Sequence, residues 1–269
     1  MNEIIIGDIV NIFEIKEVLI FDFQDYQTKV DLIEAVHQSH ADLGIAFDGD
    51  GDRLGVVSNL GEIIFPDQLL MIFAQDVLSR NKGAQIIFDV KCSNLLVKTI
   101  EEAGGKPYMS ATGHFHIKNA LKQSGAPLAG EMSGHIFFND KWYGFDDGPY
   151  SAVRAAEILV KSDDSISDIF SRFPNSFSTP ELNINVTDEN KFEIVKKFIS
   201  GSRLNGEKIT IDGLRVNFDN GWGLLRASNT TPNLVLRFEG DSFEAMNQIQ
   251  DEFISELSRI CPEIDINLN

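Results

Sequence analysis

Basic side chains are scarce in this 269-residue sequence. Lys and Arg number 23 against 41 Asp and Glu, which leaves a formal net charge of −18. Nucleic-acid affinity comes largely from cations that neutralise phosphates, so this balance disfavours a general nucleic-acid-binding protein. It equally disfavours electrostatic docking on anionic lipid. A small anionic ligand is compatible with it, provided that the few cationic residues converge on one cleft.

Cysteines and long apolar runs are also few. Cys92 and Cys261, the only two cysteines, stand far apart in the sequence, which argues against a disulfide framework or a clustered thiolate metal site. No apolar run reaches the roughly 18 to 20 residues that cross a bilayer. The first residues carry neither the basic region nor the cleavage site of a signal peptide. The sequence therefore predicts a cytoplasmic protein without a membrane partner.

Apolar patterning divides the sequence into two regions. Hydrophobic residues make up 43% of the chain, which is enough to bury a sizeable core. Up to residue 174, short apolar runs alternate with amphipathic stretches, the pattern of βα units around a sheet. Pro66 fits the first turn of one helix and Ser93 fits the N-cap of the next. Further helices are expected after Gly113 and after Asp146-Asp147-Gly148.

After residue 174 the pattern predicts a separate domain with the element order β-α-β-β-β-β-α. A helix over Lys191–Ile199 is expected to turn Phe192, Val195 and Phe198 inward. The pair Asn220-Gly221 predicts a hairpin in which both turn positions take positive φ. We therefore expect α/β domains followed by a smaller α+β C-terminal domain, of a size that can fold alone.

The most informative segment is Asp48-Gly49-Asp50-Gly51-Asp52. Glycines between the three carboxylates let the backbone curl so that like charges face one point, an arrangement that a bound cation makes tolerable. Ligation by carboxylates alone favours Mg²⁺, Ca²⁺ or Mn²⁺ over Zn²⁺. Asp48, Asp50 and Asp52 are therefore the predicted metal ligands. A solvated acidic turn would give no reason for three carboxylates in strict alternation.

This segment has two alternative interpretations. An EF-hand loop is excluded because its sixth and twelfth positions are Arg53 and Asn59 instead of Gly and Glu. An aspartyl-phosphate hydrolase fits the strand expected over Leu43–Phe47, with Lys91 and the acidic pair at 146–147 as later partners. Against it, such sites usually carry Thr or Val where Asp52 stands.

A second polar loop, Gly130–His135, lies between two apolar pieces. Glu131 can accept paired hydrogen bonds from sugar hydroxyls, and Ser133 and His135 add further donors, so the loop suits a polyhydroxylated ligand. An ordinary polar hairpin explains this loop equally well.

A third polar loop follows an expected strand in the C-terminal domain. Arg226 offers a planar fork for a phosphate, and Ser228, Asn229 and Thr230 could complete a cage of hydrogen-bond donors. The alternative is a polar connection that carries one surface arginine.

Together these three motifs, in this order and spacing, resemble the α-D-phosphohexomutase family, most closely its bacterial phosphomannomutase/phosphoglucomutase members. The resemblance extends from about Ala41 to the final helix. Family members have four domains, so the resemblance implies a partial domain 2 with the metal loop over residues 1–61. It implies domain 3 over 62–174 and domain 4 over 175–269.

The resemblance also assigns chemistry to individual positions. Asp48, Asp50 and Asp52 match the loop that holds Mg²⁺. The positions assigned to catalysis, as acid, base or phosphate contacts, are Arg53, Lys91 and His114. The positions assigned to the substrate are Glu131, Ser133 and His135 for the sugar hydroxyls, and Arg226, Ser228, Asn229 and Thr230 for the non-reacting phosphate.

By the same resemblance the chain would interconvert hexose 6-phosphates and hexose 1-phosphates of mannose or glucose through a hexose 1,6-bisphosphate. The family's serine nucleophile, in Thr-Ala-Ser-His-Asn-Pro, has no counterpart here, since Ser39-His40 is followed by Ala41. We therefore expect domain 1 and the front of domain 2 to be missing and the chain alone to be inactive. The alternative is a non-catalytic fragment or subunit that binds Mg²⁺ and sugar phosphate or complements a separate N-terminal phosphoserine domain.

Overall fold

The computed structural model describes residues 18–22 and 26–268. The chain divides into two compact units, one ending at Pro174 and one beginning at Asn175, and each is described by itself. Residues 1–17 of the predicted first domain lie outside the described residues. Among the residues described, no helix combines the length and apolar character that crossing a membrane requires.

The first unit contains two four-stranded sheets. The strands of the first sheet, in order, are β1 (Val18–Asp22), β2 (Leu43–Phe47), β3 (Leu54–Ser58) and β4 (Ile63–Ile64). Strands β1 and β2 are parallel, and the other two pairs are antiparallel. The strands of the second sheet, in order, are β6 (Lys106–Ser110), β5 (Gln85–Asp89), β7 (Leu128–Gly130) and β8 (Ile136–Phe138). Only its β7–β8 pair is antiparallel.

The described helices of this unit are α1 (Tyr26–Ser39), α2 (Pro66–Arg80), α3 (Asn94–Glu102), α4 (His114–Ser124), α5 (Gly148–Val160) and α6 (Ile166–Ser171). Helices α2 to α5 begin at or next to the residues where the sequence signals place them. Pro66 occupies the first turn of α2. The hydroxyl of Ser93 accepts from the Leu95 amide and caps α3, and the Asp147 carboxylate accepts from the Tyr150 amide and caps α5. The four helix starts predicted in this region are confirmed.

Helix α2 is buried along most of its length. Its Leu69 and Phe73 side chains belong to one hydrophobic cluster with Leu43 and Leu54 of the first sheet and Phe88 of the second. A helix enclosed in this way needs apolar residues around most of its circumference, which is what the sequence of α2 provides. This hydrophobic cluster contains residues from both sides of position 61. The predicted domain boundary between residues 1–61 and 62–174 stays a prediction.

The second unit is built on one antiparallel sheet. Its strands are β9 (Phe177–Ser178), β10 (Leu182–Asn185), β11 (Glu207–Ile209), β12 (Leu214–Phe218), β13 (Gly221–Ala227) and β14 (Asn233–Gly240), and its helices are α7 (Lys191–Gly201) and α8 (Phe243–Ile260). The order is β10-β14-β13-β12-β11, with β9 paired to β14. Phe253 of α8 contacts the rings of Phe198 and Phe238 at centroid distances of 5.8 and 5.4 Å. The predicted element order is confirmed, with β9 as an additional strand.

The inward position of Phe192 was predicted wrongly. Its side chain is 59% exposed, whereas Ile194, Val195 and Phe198 of the same helix are buried. The helix therefore presents positions 194, 195 and 198 to the core. With about 100° between successive residues, Phe192 lies about 110° around the helix from the middle of this stripe. Instead, the ammonium group of Lys191 lies 5.3 Å from the centroid of the Phe192 ring, a cation–π contact.

We expect Phe192→Ser to change the free energy of unfolding by less than about 1 kcal/mol, since an exposed ring and one cation–π contact are all that is lost. Urea titration of both proteins measures this. Ile194→Ala in the same helix is the matched control and is expected to destabilise the chain by more. A large loss for Phe192→Ser would contradict the exposed position.

The Asn220-Gly221 hairpin exists, but its turn differs from the prediction. Phe218 pairs with Gly221, so the two loop residues are Asp219 and Asn220, and neither has positive φ. Gly221 is instead the first residue of β13, where an added Cβ would lie 2.1 Å from the Glu239 carbonyl oxygen. The glycine is required by the close approach of β14.

Candidate functional site

The β2–β3 connection brings the three predicted metal ligands together. Asp48 follows the last residue of β2, and its Oδ1 accepts from the Arg53 amide at 3.1 Å, which closes the loop. Gly51 has φ +76°, a conformation that glycine adopts readily. One carboxylate oxygen from each of Asp48, Asp50 and Asp52 lies within 4.8 Å of the others. The side chains thus converge on one point of the loop.

The electrostatics of this loop favour a bound cation. Burial raises the pKa of Asp52, a hydrogen bond with Asp48 and the charges of Asp48 and Asp50 raise it further, and His135 opposes the shift. The Arg53 Nε lies 3.3 Å from Asp48 Oδ2 and 3.9 Å from Asp52 Oδ1, so one guanidinium lies beside two of the three carboxylates. An all-oxygen donor set with excess negative charge fits a hard divalent cation such as Mg²⁺.

The second predicted loop lies directly beside the metal loop. Gly130–His135 joins β7 to β8, and the Glu131 amide donates to the His135 carbonyl at 2.9 Å. The Leu54 amide donates to the Gly134 carbonyl at 3.1 Å, and Arg53 and His135 form an isolated β-bridge. Arg53 Nε also donates to His135 Nε2 at 3.3 Å. The structure therefore brings together two loops that are far apart in sequence.

His135 connects residues of both loops. Its Nδ1 lies 3.1 Å from Glu131 Oε2 and 2.8 Å from the Ser133 hydroxyl, and its Nε2 lies 3.4 Å from Asp52 Oδ1. Burial lowers its pKa, but the hydrogen bond with Glu131 and the negative charges of Glu131 and Asp52 raise it by more, so the net shift is upward. The imidazole thus sits between a buried carboxylate and the metal loop.

Glu131 is nearly inaccessible in this structure. Its side chain is 1% exposed, and its Oε1 accepts from the Gly113 amide at 2.6 Å, next to the start of α4. Both oxygens therefore face protein groups, one the Gly113 amide and the other His135. The role of Glu131 in reading sugar hydroxyls stays a prediction.

Lys91 is buried next to an acidic residue that the sequence interpretation did not select. Its Nζ lies 4.0 Å from Asp89 Oδ2. Asp89 is fully buried, accepts from the Thr112 hydroxyl at 2.9 Å, and accepts from the Met132 amide at 3.0 Å. It thereby ties the Lys91 segment to the Gly130–His135 loop. The available signal was its position at the carboxyl end of a parallel strand, where sites of α/β folds collect.

Asp146 is a second residue that the phosphohexomutase interpretation left out. Its Oδ1 lies 2.6 Å from Lys118 Nζ, and its Oδ2 lies 3.7 Å from His114 Nδ1. The His114 ring stacks on His135 with centroids 6.1 Å apart. His114, predicted to be catalytic, therefore belongs to the same cluster as Arg53 and His135.

The predicted phosphate loop belongs to the second unit. Arg226 on β13 is 4% exposed, and its Nε donates to Asp212 at 2.9 Å. Its Nη2 is buried and makes no hydrogen bond to any residue that the structure describes. Ser228 Oγ accepts from the Thr230 amide at 3.4 Å, and Asn229 and Thr230 are exposed. The Arg226 loop thus has an unused donor next to exposed polar groups.

Comparison with known proteins now decides the family. The model described as "Phosphoglucomutase/phosphomannomutase, alpha/beta/alpha domain III" matches residues 65–177, and the one described as "Phosphoglucomutase/phosphomannomutase, C-terminal domain" matches residues 181–256. The chain belongs to the phosphoglucomutase/phosphomannomutase family. The predicted family and fold class are confirmed.

Individual members of this family are similar over most of the chain. A phosphomannomutase/phosphoglucomutase of Pseudomonas putida (strain KT2440) is 56% identical over 237 residues, which are 88% of this chain and 51% of the relative. A phosphoglucomutase of Neisseria gonorrhoeae is 53% identical over 226 residues, 83% of this chain and 49% of the relative. The crystal structure of a phosphoglucomutase/phosphomannomutase family protein from Burkholderia thailandensis has a TM-score of 0.82 and 50% identity, covering 88% of this chain and 50% of that one. The chain spans about half the length of the curated relatives it matches.

The family model and the geometry of the site bear on different residues. The range matched by the domain III model contains Lys91, His114 and His135, whereas the three metal-loop aspartates precede it. For Asp48, Asp50 and Asp52 the convergence of carboxylates is therefore the structural argument.

Proposed function

We propose that this chain supplies the metal loop, the sugar loop and the phosphate loop of a phosphohexomutase. The reaction is the interconversion of the 6-phosphates and 1-phosphates of mannose and glucose through a hexose 1,6-bisphosphate. The relatives named above for both phosphomannomutase and phosphoglucomutase support this pair of sugars. The observation that carries the proposal is the contact of Arg53 with His135, because it joins a cation-binding loop to a loop of polar donors and acceptors.

The metal loop is the expected site for charge neutralisation. Asp48, Asp50 and Asp52 hold Mg²⁺, which when bound neutralises charge on a transferring phosphoryl group. Arg53 lies beside them with a side chain that is 39% exposed, so its guanidinium can donate to phosphate oxygens. The loop residues thus hold the cation, and Arg53 adds directional donors.

Proton exchange with the sugar requires a group that reaches the ligand. An arginine guanidinium has no acceptor atom for a substrate proton, and Lys91 is buried beside Asp89. His114 has a side chain that is 62% exposed and lies next to His135. An exposed imidazole can donate and accept a proton near neutral pH. Of the three predicted catalytic residues, His114 is therefore our candidate for acid and base, with Arg53 and Lys91 holding phosphate.

Each unit carries residues that we assign to the substrate. Ser133 and His135 of the sugar loop, oriented by Glu131, contact hydroxyl groups. Arg226, Ser228, Asn229 and Thr230 of the second unit bind the phosphate that does not react. The buried Nη2 of Arg226 supports this assignment, because a guanidinium nitrogen without a partner is a ready donor to an anion. Both cysteines are buried and neither forms a disulfide within the described residues, in keeping with the cytoplasmic location that we propose.

The phosphoserine of the reaction comes, in this proposal, from outside these 269 residues. No Thr-Ala-Ser-His-Asn-Pro segment occurs among them. Ser39, the serine followed by histidine at the end of α1, donates its hydroxyl to the Ala35 carbonyl at 2.7 Å. A separate N-terminal phosphoserine domain would complete the site.

A coupled mutase assay tests the proposal. It contains Mg²⁺, glucose 1-phosphate or mannose 1-phosphate, a trace of the hexose 1,6-bisphosphate, and residues 1–269. We expect no turnover from this chain alone and measurable turnover after addition of the separately produced N-terminal half of the Pseudomonas putida relative. The N-terminal half alone is the control.

Two outcomes would change the interpretation. Turnover by residues 1–269 alone, well above that of Asp50→Ala, would show that the chain contains its own nucleophile. Absence of turnover in every mixture, together with binding of hexose phosphate measured by calorimetry, would favour the alternative of a non-catalytic binding subunit.

A further inference from the structure

Asp212 contacts the predicted phosphate arginine of the second unit. It lies in the short connection between β11 and β12, and its Oδ2 accepts from Arg226 Nε at 2.9 Å. We propose that Asp212 is a positioning residue for phosphate binding. It fixes the plane of the Arg226 guanidinium, so that Nη2 donates to the non-reacting phosphate of a hexose phosphate. This role of Asp212 rests on the proposed function, which takes Arg226 as a phosphate ligand.

The backbone of the β11–β12 connection brings Asp212 to Arg226. Leu214 of β12 pairs with Leu225 of β13, and Gly213, the residue before Leu214, has φ +81°. A Cβ added to Gly213 would lie 2.2 Å from the Leu225 carbonyl oxygen and 2.7 Å from Arg226 Cα. Glycine, which has no Cβ, permits this close approach. The connection is therefore held against β13 at the residue that carries the guanidinium.

Burial makes the contact between the two side chains important. The side chain of Arg226 is 5% exposed and that of Asp212 is 17% exposed. A cation that is removed from water is costly unless it is paired, and Asp212 pairs it. The hydrogen bond to Nε also restricts the rotation of a long side chain. Because the guanidinium is a planar fork, it binds an oxyanion well only when this plane is correctly oriented.

The ion pair leaves part of the guanidinium unused. A guanidinium has five N–H donors, and Nη2 of Arg226 is buried without a hydrogen bond to any residue in the described ranges. A carboxylate that occupied the whole fork would exclude a phosphate, and a fork without any partner would rotate. The observed arrangement orients the group through Nε and keeps a donor for an anion at Nη2.

Two other roles of Asp212 lead to different expectations. If the carboxylate only balances a buried charge, its removal lowers the stability of the chain and leaves the phosphate affinity of the folded chain unchanged. If its charge competes with phosphate for Arg226, every variant without that charge binds phosphate more tightly. A positioning role depends instead on the hydrogen-bond acceptor. Asp212→Asn keeps an acceptor oxygen and loses the charge, whereas Asp212→Ala loses both.

Titration of the full chain with glucose 1-phosphate, followed through the NMR signals of the exposed Asn229 and Thr230 amides, measures the dissociation constant. We expect Asp212→Ala to weaken binding by about tenfold, the scale of one charge-assisted hydrogen bond. Asp212→Asn should stay close to the parent chain. Asp219→Asn, which removes an exposed carboxylate from the turn between β12 and β13, is the matched control and should change nothing.

The Arg226 Nε–H signal gives a second readout in the ligand-free chain. A hydrogen-bonded Nε–H should exchange slowly with water in the parent chain and in Asp212→Asn, and rapidly in Asp212→Ala. Thermal unfolding of each variant identifies any that fail to fold. If Asp212→Ala does not fold, Asp212→Leu takes its place, since leucine has a similar shape and no acceptor.

The proposal is overturned if the folded variant without an acceptor binds glucose 1-phosphate as tightly as Asp219→Asn does. It is also overturned if Asp212→Asn loses as much affinity as Asp212→Ala, or if both bind more tightly than the parent chain. Equal binding by the parent chain and by Arg226→Gln is a different result. It would show that Arg226 is not a phosphate ligand, and would overturn this part of the proposed function together with the role of Asp212.

Discussion

Replacing Asp50 by alanine is expected to weaken Mg²⁺ binding by about 100-fold or more, because one of three charged ligands is lost. The same change should leave the metal-free chain as stable as before or more stable. Asp50 is exposed, and its carboxylate makes no hydrogen bond or ion pair within the described part of the chain. What it contributes to the metal-free fold is repulsion, since its charge helps to raise the pKa of Asp52. Calorimetry with Mg²⁺ and thermal unfolding measure the two effects.

The raised pKa of Asp52 gives this prediction a pH dependence. Burial is the largest cause of the shift, followed by the neighbouring carboxylates. A carboxyl group whose pKa is higher in the folded chain stabilises the fold while it is protonated, and this contribution is lost as pH rises through the raised value. Without bound metal, the unsubstituted chain should therefore lose stability as the pH rises above about 4, the usual pKa of an aspartate side chain. The Asp50→Ala variant should lose less stability over the same pH range.

Asp163→Ala is the matched control for charge. It removes an exposed carboxylate from the same unit but outside the cluster, and it should change neither Mg²⁺ affinity nor the pH profile. If Asp50→Ala binds Mg²⁺ as tightly as Asp163→Ala does, the loop that carries Asp48, Asp50 and Asp52 is not the Mg²⁺ site.

The sequence predicts correctly those elements whose start is determined by single residues within the element itself. Pro66 and Ser93 begin α2 and α3 because first-turn and N-cap positions constrain single residues. Phe192 was placed wrongly because a short helix allows two apolar stripes, and only packing against the sheet chooses between them. Gly221 was misread for a related reason: its role depends on Glu239 of a strand that is distant in sequence.

The residues of the candidate site also fall into two groups, those that sequence spacing identifies and those that only the fold brings together. The three aspartates of the metal loop could be selected because they lie within five consecutive residues. Asp89 was not selected, and Asp146 was selected only in the aspartyl-phosphate alternative. The positions of both depend on contacts with Met132 and Lys118 that the sheet and helix packing creates. Spacing identifies a local ligand set, whereas a cluster assembled from separate loops requires the fold.

Gly148→Ala is expected to damage the metal site from a distance of almost a hundred positions in sequence. Gly148 begins α5, and its amide donates to the Gly51 carbonyl of the metal loop at 3.0 Å. An added Cβ would lie 2.7 Å from the Arg53 carbonyl oxygen and 2.8 Å from that of Gly51. Backbone atoms cannot move aside as a flexible side chain can, so the start of α5 must shift. We expect a loss of about 1–3 kcal/mol in unfolding free energy, the usual cost of overpacking.

The shift should also reach the Mg²⁺ ligands, because Gly51 lies between Asp50 and Asp52 of the metal loop. We expect the Mg²⁺ affinity to fall by about tenfold, the scale of disturbed ligand support. Gly49→Ala is the matched control, since an added Cβ there meets nothing within 4 Å. Its backbone φ lies outside the region that favours glycine, so it should keep its stability. Equal stability and equal affinity in the two variants would contradict the close contact between α5 and the metal loop. A loss of stability without a loss of affinity would show that the loop holds its ligands without help from α5.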